Sequence, residues 1–264
     1  MPELRAIAAA MVSMIVSLGT VYSILHSTFL DTSNPFITNN HHLSGTHYFA
    51  SKTNLLNTVF LKRAWGWTTV FFLPLFLTAA PQHRLRRAAQ YLVATISWLA
   101  FTAWFFGPAL LERVTLLTGG ICLVHLEDCL DVPVPVEYCL NRERISYASH
   151  PHLFPTPFQA FEGSPRMPRL RRGHDVSGHI FLLTLSALFL GDQIRQSILQ
   201  TTRRRRSWPL AYALFGAQAL FHLWLISLWI TSVYYHTAAE KFSGLALGFA
   251  VFGITQVPLW LSRE

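Results

Sequence analysis

Apolar residues run along this chain in blocks of helical length, separated by short polar or basic segments. A hydrocarbon core about 30 Å thick is crossed by roughly 17–25 apolar helical residues. Six stretches approach that measure: residues 7–25, 59–80, 88–111, 177–194, 209–230 and 243–261. The first carries no charge. The third is interrupted near Pro108. The fourth is short from Ser177 to Leu190 and needs Gly191 to Ile194 to cross. A seventh stretch, Val114 to Leu126, contains Gly119 and Gly120 and is too short to span, so it reads as interfacial or re-entrant. The pattern predicts an all-α, polytopic membrane protein of six spans, one membrane domain over residues 1–264. The first stretch lacks a clear basic segment before it and a small-residue cleavage site after it, so it reads as a signal anchor.

Composition strengthens this picture. Over 264 residues, 52% are apolar and only 13% charged, against about 25% charged in a soluble domain. Mean hydropathy is +0.34. These values exclude a disordered chain, a disulfide miniprotein and a coiled coil. The net charge of +8 matters through its placement. Arg84, Arg86 and Arg87 follow the second stretch, and Arg195 with Arg203 to Arg206 follow the fourth. Two spans separate these loops, so both fall on one side, and the positive-inside rule makes that side cytosolic. Both termini are then cytosolic. The other side receives residues 26–57, the long loop 112–176 and the turn 231–242. The arginine run has no interleaved aromatics and no binding motif, which argues against nucleic acid as a partner.

All three cysteines, Cys122, Cys129 and Cys139, lie on or near the long loop, on the disulfide-permitting side. Cys129 and Cys139 could pair across the proline-rich segment 131–137, but the odd count leaves the assignment open. Most of the twelve histidines have an ordinary reading. His41, His42, His47, His150, His152 and His174 fall in polar loops and read as solvated. His222 lies inside the fifth stretch, about 21 Å along a helix from His236. That depth suits a helix–helix hydrogen bond.

His179 and His236 differ. His179 stands where polar loop becomes membrane helix, and His236 just after the fifth span. Spans four and five are joined by a short loop, so they are antiparallel neighbours whose non-cytosolic ends adjoin. That places both histidines at one face, with Asp175, Ser177, Glu240 and Lys241 nearby. Two imidazoles and a carboxylate suit phosphoryl transfer. One imidazole attacks phosphorus while a carboxylate holds its other nitrogen. The second protonates the leaving oxygen. Cations must neutralise the phosphoryl oxygens, and Lys241, Arg171, Arg172 and Lys62 are available. The competing reading is interfacial anchoring, with Tyr234 and Tyr235 as an aromatic belt.

Three motifs carry a resemblance. Asp175-Val-Ser-Gly-His-Ile-Phe-Leu-Leu183 resembles the signature of the fat storage-inducing transmembrane proteins. Tyr235-His-Thr-x-x-Glu-Lys241, followed by an apolar glycine-containing span, resembles their second motif. Residues 54–68, from Asn54 to Thr68, resemble the start of their second span. The resemblance implies residence in the endoplasmic reticulum membrane, with the site on the lumenal side, and roles in lipid-droplet formation and membrane lipid balance. It also implies an acyl-CoA diphosphatase activity. That reaction splits the phosphoanhydride of fatty acyl-CoA into acyl 4′-phosphopantetheine and adenosine 3′,5′-bisphosphate. His236 is implied as nucleophile and His179 as general acid, by analogy with the similar lipid phosphate phosphatases. Those enzymes have proline where this chain has Val176, arginine where it has Ile230, and aspartate where it has Glu240, and their Lys-x6-Arg-Pro motif is absent. The phosphate-clamping role then passes to other basic residues or to a divalent metal. No cofactor is implied otherwise, and the loop 127–172 matches no family pattern.

Other readings compete. The chain could be a non-enzymatic binder of diacylglycerol or triacylglycerol, a phosphatidic acid phosphatase, or a transporter. The last rests on His222 alone, with no inverted repeat to accompany it.

Overall fold

The structure is a computed structural model that describes residues 3–30, 41–103, 108–125, 131–154, 165–201 and 207–257. It is mostly helical and divides into two compact units. The first comprises Met1–Leu30, His41–Leu99 and Ser177–Glu264; the second comprises Asp31–Asn40 and Ala100–Val176.

The first unit holds α1 (Glu3–Leu25), α2 (Ala64–Leu77), α3 (Pro81–Thr102) as far as Leu99, α6 (Gly178–Thr201), α7 (Trp208–Tyr234) and α8 (Ala238–Thr255). Leu4–Leu25, Trp208–Tyr234 and Ala238–Thr255 are long and apolar enough to cross a membrane. α6 is the centre, packed against α1, α2, α7 and α8. Its residues Ile180 to Leu190 are buried without a break. Beside it, the rings of Trp65, Phe72, Tyr91 and Phe189 lie 5.0–6.2 Å apart, a range in which aromatic pairs attract. α8 approaches α6 through Gly244 and Gly248. A Cβ on Gly244 would stand 2.6 Å from the Ser177 carbonyl oxygen, and one on Gly248 would stand 2.7 Å from Thr184 Cβ. Small residues four apart allow such an approach between membrane helices.

Several polar residues read as loop are helical. Pro81 begins α3, a position where its missing N–H costs nothing. Arg84, Arg86 and Arg87 therefore lie in the helix rather than in a loop. Arg87 is fully buried, donating to the Leu75 carbonyl at 3.1 Å and to Ser197 Oγ at 3.0 Å. Arg195 also lies inside a helix, α6, which continues to Thr201. Its Nε meets Asp192 Oδ1 at 3.0 Å. Arg5 of α1 forks onto the same carboxylate at 2.6 and 3.1 Å. Gln90, Gln196 and Gln256 extend the network. The third stretch is displaced likewise: α3 ends at Thr102, and Ala109 caps a separate helix. Residues 104–107 and the run Arg203 to Arg206 lie outside the described residues.

The second unit holds α4 (Leu110–Leu117), α5 (Val136–Leu140) and a three-stranded antiparallel sheet in the order β2-β1-β3. Its strands are β1 (Ile121–His125), β2 (Asp131–Pro133) and β3 (Arg169–Arg171). The sheet adds a β element to a chain that is otherwise mostly helical, and residues 121–125 of the short seventh stretch form β1. Gly119, at φ +94°, ends α4 and turns the chain into the strand. Cys122 is disulfide-bonded to Cys139, not Cys129 to Cys139. The bridge lies in a small core with Val124, Val134 and Ile145. Cys129 lies outside the described residues.

Candidate active site

His236 stands in the three-residue connection between α7 and α8. Tyr235 is extended, His236 is left-handed at φ +64°, and Thr237 is the N-cap of α8. A non-glycine residue in the left-handed region costs about 1–3 kcal/mol and persists only where its surroundings impose it. Here they do. On the C-terminal side, Thr237 and Glu240 form a capping box: Thr237 N–H donates to Glu240 Oε2 at 2.8 Å, and Glu240 N–H to Thr237 Oγ1 at 3.5 Å. This exchange satisfies two backbone donors of a helix start. On the N-terminal side, Leu30 N–H donates to the Tyr234 carbonyl at 3.2 Å, and Thr28 Oγ1 to that of Val233 at 2.8 Å.

Glu240 Oε2 also lies 3.4 Å from His236 Nδ1. The two are close but not aligned, and Nδ1 is buried without a hydrogen-bond partner. Glu240 is buried as well. The carboxylate thus faces the Nδ1 edge of the His236 ring.

His179 sits in the first turn of α6, half-buried. The Ser177 backbone N–H, two residues earlier, donates to the Glu240 carbonyl at 3.1 Å. This bond and the Gly244 approach join the two histidine motifs. The third motif joins the same region. Tyr235 OH donates to the Phe49 carbonyl at 2.9 Å, and Asn54 Nδ2 donates to that oxygen at 3.3 Å. Burial pushes the Tyr235 phenol up to about 12.

The remaining predicted residues divide. Lys62 is exposed in a turn before α2. Lys241 is fully buried and turned toward α1. Its Nζ donates to Ser23 Oγ at 2.7 Å and stands 5.5 Å from the centre of the Phe29 ring. Asp175, Arg171 and Arg172 belong to the second unit. There Arg171 is half-buried on β3, and burial lowers its guanidinium from the usual range. Arg172 is exposed at φ +74°. Among the described residues, no three His, Cys, Asp or Glu side chains group as metal ligands.

Other histidines change their reading. His41 is buried, not solvated. Its Nε2 lies 2.7 Å from the Tyr234 carbonyl and 2.8 Å from that of Thr28. No spacing marks it in the sequence; only the fold brings it to α7. His150 lies 3.3 Å from Glu143, while His42, His47 and His152 are exposed as expected. His222 bonds the Gln218 carbonyl of its own helix at 2.7 Å rather than a neighbouring helix. Ser23, the Lys241 partner, was also missed. A hydroxyl within the first apolar stretch was its one signal.

The comparisons agree with the motifs. The profile of the fat storage-inducing transmembrane protein family matches residues 45–214 and 209–256. The acyl-coenzyme A diphosphatase fit1 of Schizosaccharomyces pombe is 31% identical over 217 residues, 80% of this chain and 74% of that protein. The acyl-coenzyme A diphosphatase FITM2 of Xenopus tropicalis is 30% identical over 79% of this chain and 71% of its own length. The protein of that name from Homo sapiens is 27% identical over 76% of this chain and 68% of its own. No solved structure matches. Matched along most of its length and carrying all three motifs, the chain belongs to the fat storage-inducing transmembrane protein family.

Proposed function

We propose that this chain is a fatty acyl-CoA diphosphatase of the endoplasmic reticulum membrane, as its relatives' names indicate. The observation that carries the reading is the Ser177 to Glu240 hydrogen bond, which ties the His179 motif to the His236 motif. In the first step, His236 Nε2 attacks a phosphorus of the anhydride. A P–N bond forms as the bridging P–O bond breaks, and His179 gives its proton to the leaving phosphate oxygen. Water then cleaves the phosphohistidine, with its proton passing to His179. The products are acyl 4′-phosphopantetheine and adenosine 3′,5′-bisphosphate. Glu240 supports the imidazolium. Lys62, exposed before α2, meets the phosphate charge. Lys241, held at Ser23, sets the start of α8 against α1.

The proposed topology has six crossings with cytosolic termini. They are α1, α2 with the turns before it, α3, α6, α7 and α8. Its support is that His179 begins α6 while Arg195 lies toward that helix's far end, so the site and this basic residue fall on opposite sides of the span. The acyl chain would lie in the bilayer, and the products would feed membrane lipid balance and droplet formation.

The test is oleoyl-CoA hydrolysis by detergent-purified protein, read as release of adenosine 3′,5′-bisphosphate. Wild type should turn over, and His179→Ala and His236→Ala should lose turnover at unchanged folding. A well-folded wild type inactive on acyl-CoA but active on phosphatidic acid would make it a lipid phosphatase instead. Inactivity on both would favour lipid binding.

A further inference from the structure

α7 ends one residue before the extended Tyr235 and two before His236, so its last carbonyls face out of the helix without intrahelical donors. At Tyr234, two donors from elsewhere in the chain take that role: Leu30 N–H at 3.2 Å and His41 Nε2 at 2.7 Å. The proton position on His41 follows from its surroundings. Leu43 N–H donates to His41 Nδ1 at 3.0 Å, so Nδ1 holds a lone pair. The proton is then on Nε2, and neutral His41 donates to the carbonyls of Tyr234 and Thr28. The ring is buried, stacked on His42 at 4.6 Å, and edge-on to Tyr234 at 6.1 Å and Tyr235 at 6.0 Å. One imidazole thus ties three segments: the end of α1, the residues opening the next described segment, and the end of α7.

We propose that His41 is a positioning residue for His236. Its Nε2–H holds the backbone from which the left-handed His236 departs, as the Thr237–Glu240 capping box holds the backbone that follows. The proposal rests on the reading of His236 as the nucleophile. His41 does not touch the reacting atoms. Its effect is to keep His236 Nε2 aimed, because a nucleophile displaced by about 1 Å loses on the order of a hundredfold in rate. Burial of the ring favours the neutral form that the geometry requires, with His42 and Lys52 adding to that effect and the two carbonyls opposing it.

The test compares His41→Gln with His41→Asn. A glutamine amide reaches the Nε2 position and donates to the two carbonyls. Asparagine reaches only the position of Nδ1. Oleoyl-CoA turnover should show kcat of His41→Asn down about tenfold or more with KM within about twofold, and His41→Gln near wild type. In parallel, diethylpyrocarbonate labelling of His236 in full-length detergent-solubilised protein, read by mass spectrometry, should differ from wild type in His41→Asn and return in His41→Gln. Equal kcat in both variants would overturn the proposal, as would a loss in His41→Gln matching that in His41→Asn. If wild type itself proves inactive, the diphosphatase reading fails and the labelling decides the positioning alone. Restoration by glutamine sustains it, and identical labelling in all three proteins overturns it.

Discussion

Ser177 and Glu240 are joined backbone to backbone, the N–H of the first donating to the carbonyl of the second at 3.1 Å. Each stands within four residues of a histidine on which the proposed chemistry depends. The spacing of those histidines therefore depends on how closely α8 lies against α6. Side-chain truncation cannot break this contact, but added bulk can.

Gly244 is where bulk acts. Its Cβ would stand 2.6 Å from the Ser177 carbonyl and 3.3 Å from the Phe181 nitrogen, both backbone atoms. Gly244→Ala should destabilise the protein by about 1–3 kcal/mol and lower turnover more than the same change at Gly253, where nothing stands within 4 Å. Thermal melting in detergent beside the hydrolysis assay checks both, and equal effects at the two positions would contradict the close-contact account.

Glu240→Gln separates structure from charge. Glutamine can accept the Thr237 N–H as a capping-box partner, so melting should change little. The charge 3.4 Å from His236 Nδ1 is lost, and turnover should fall by about a hundredfold or more, a size typical of acid–base support. Retained turnover would remove Glu240 from the mechanism.

Asp192 is buried under Arg5 and Arg195. Asp192→Asn leaves both guanidiniums without their carboxylate and should cost about 3–5 kcal/mol, the range for breaking a buried ion pair. Chemical denaturation in detergent measures it. An unchanged midpoint would show that water already serves those arginines.

Cys139→Ser opens a bridge that closes 17 residues of sequence. The second unit should lose about 3 kcal/mol by loop entropy and become protease-sensitive between Ile121 and Leu140, while the first unit resists. The cleavage map decides it, and an intact second unit would show that the core of Val124, Val134 and Ile145 suffices alone.

His41 carries a pH signature. Burial holds it below the usual histidine range, so its folded-state pKa lies under the unfolded value of about 6.5. The neutral ring's contribution is full above about pH 6.5 and is lost as pH falls toward the folded value. Wild type should therefore lose more melting temperature than His41→Gln between about pH 7.5 and 5. Parallel losses would place the pH response elsewhere.

Much of this was legible in the residues themselves. The apolar stretches at 7–25, 209–230 and 243–261 correspond to α1, α7 and α8, because membrane-length hydropathy is a local property that each segment carries unaided. The motifs around Asn54, His179 and His236 are short and contiguous, so their residue types could be read directly. Other features were hidden because they depend on helix rotation and on which segment arrives opposite. Arg87 looked like a loop cation until Leu75 and Ser197 met it. Lys241 looked available for phosphate until Ser23 met it. Cys122, not Cys129, faced Cys139 once the sheet had formed. His41 looked solvated because a polar loop says nothing of the helix end it will cover. Hydropathy and spacing, acting over a few residues, determined where helices form and which groups could react. Partnership between distant polar groups was decided only by tertiary packing, since a buried donor or acceptor must find its match wherever the folded chain supplies one.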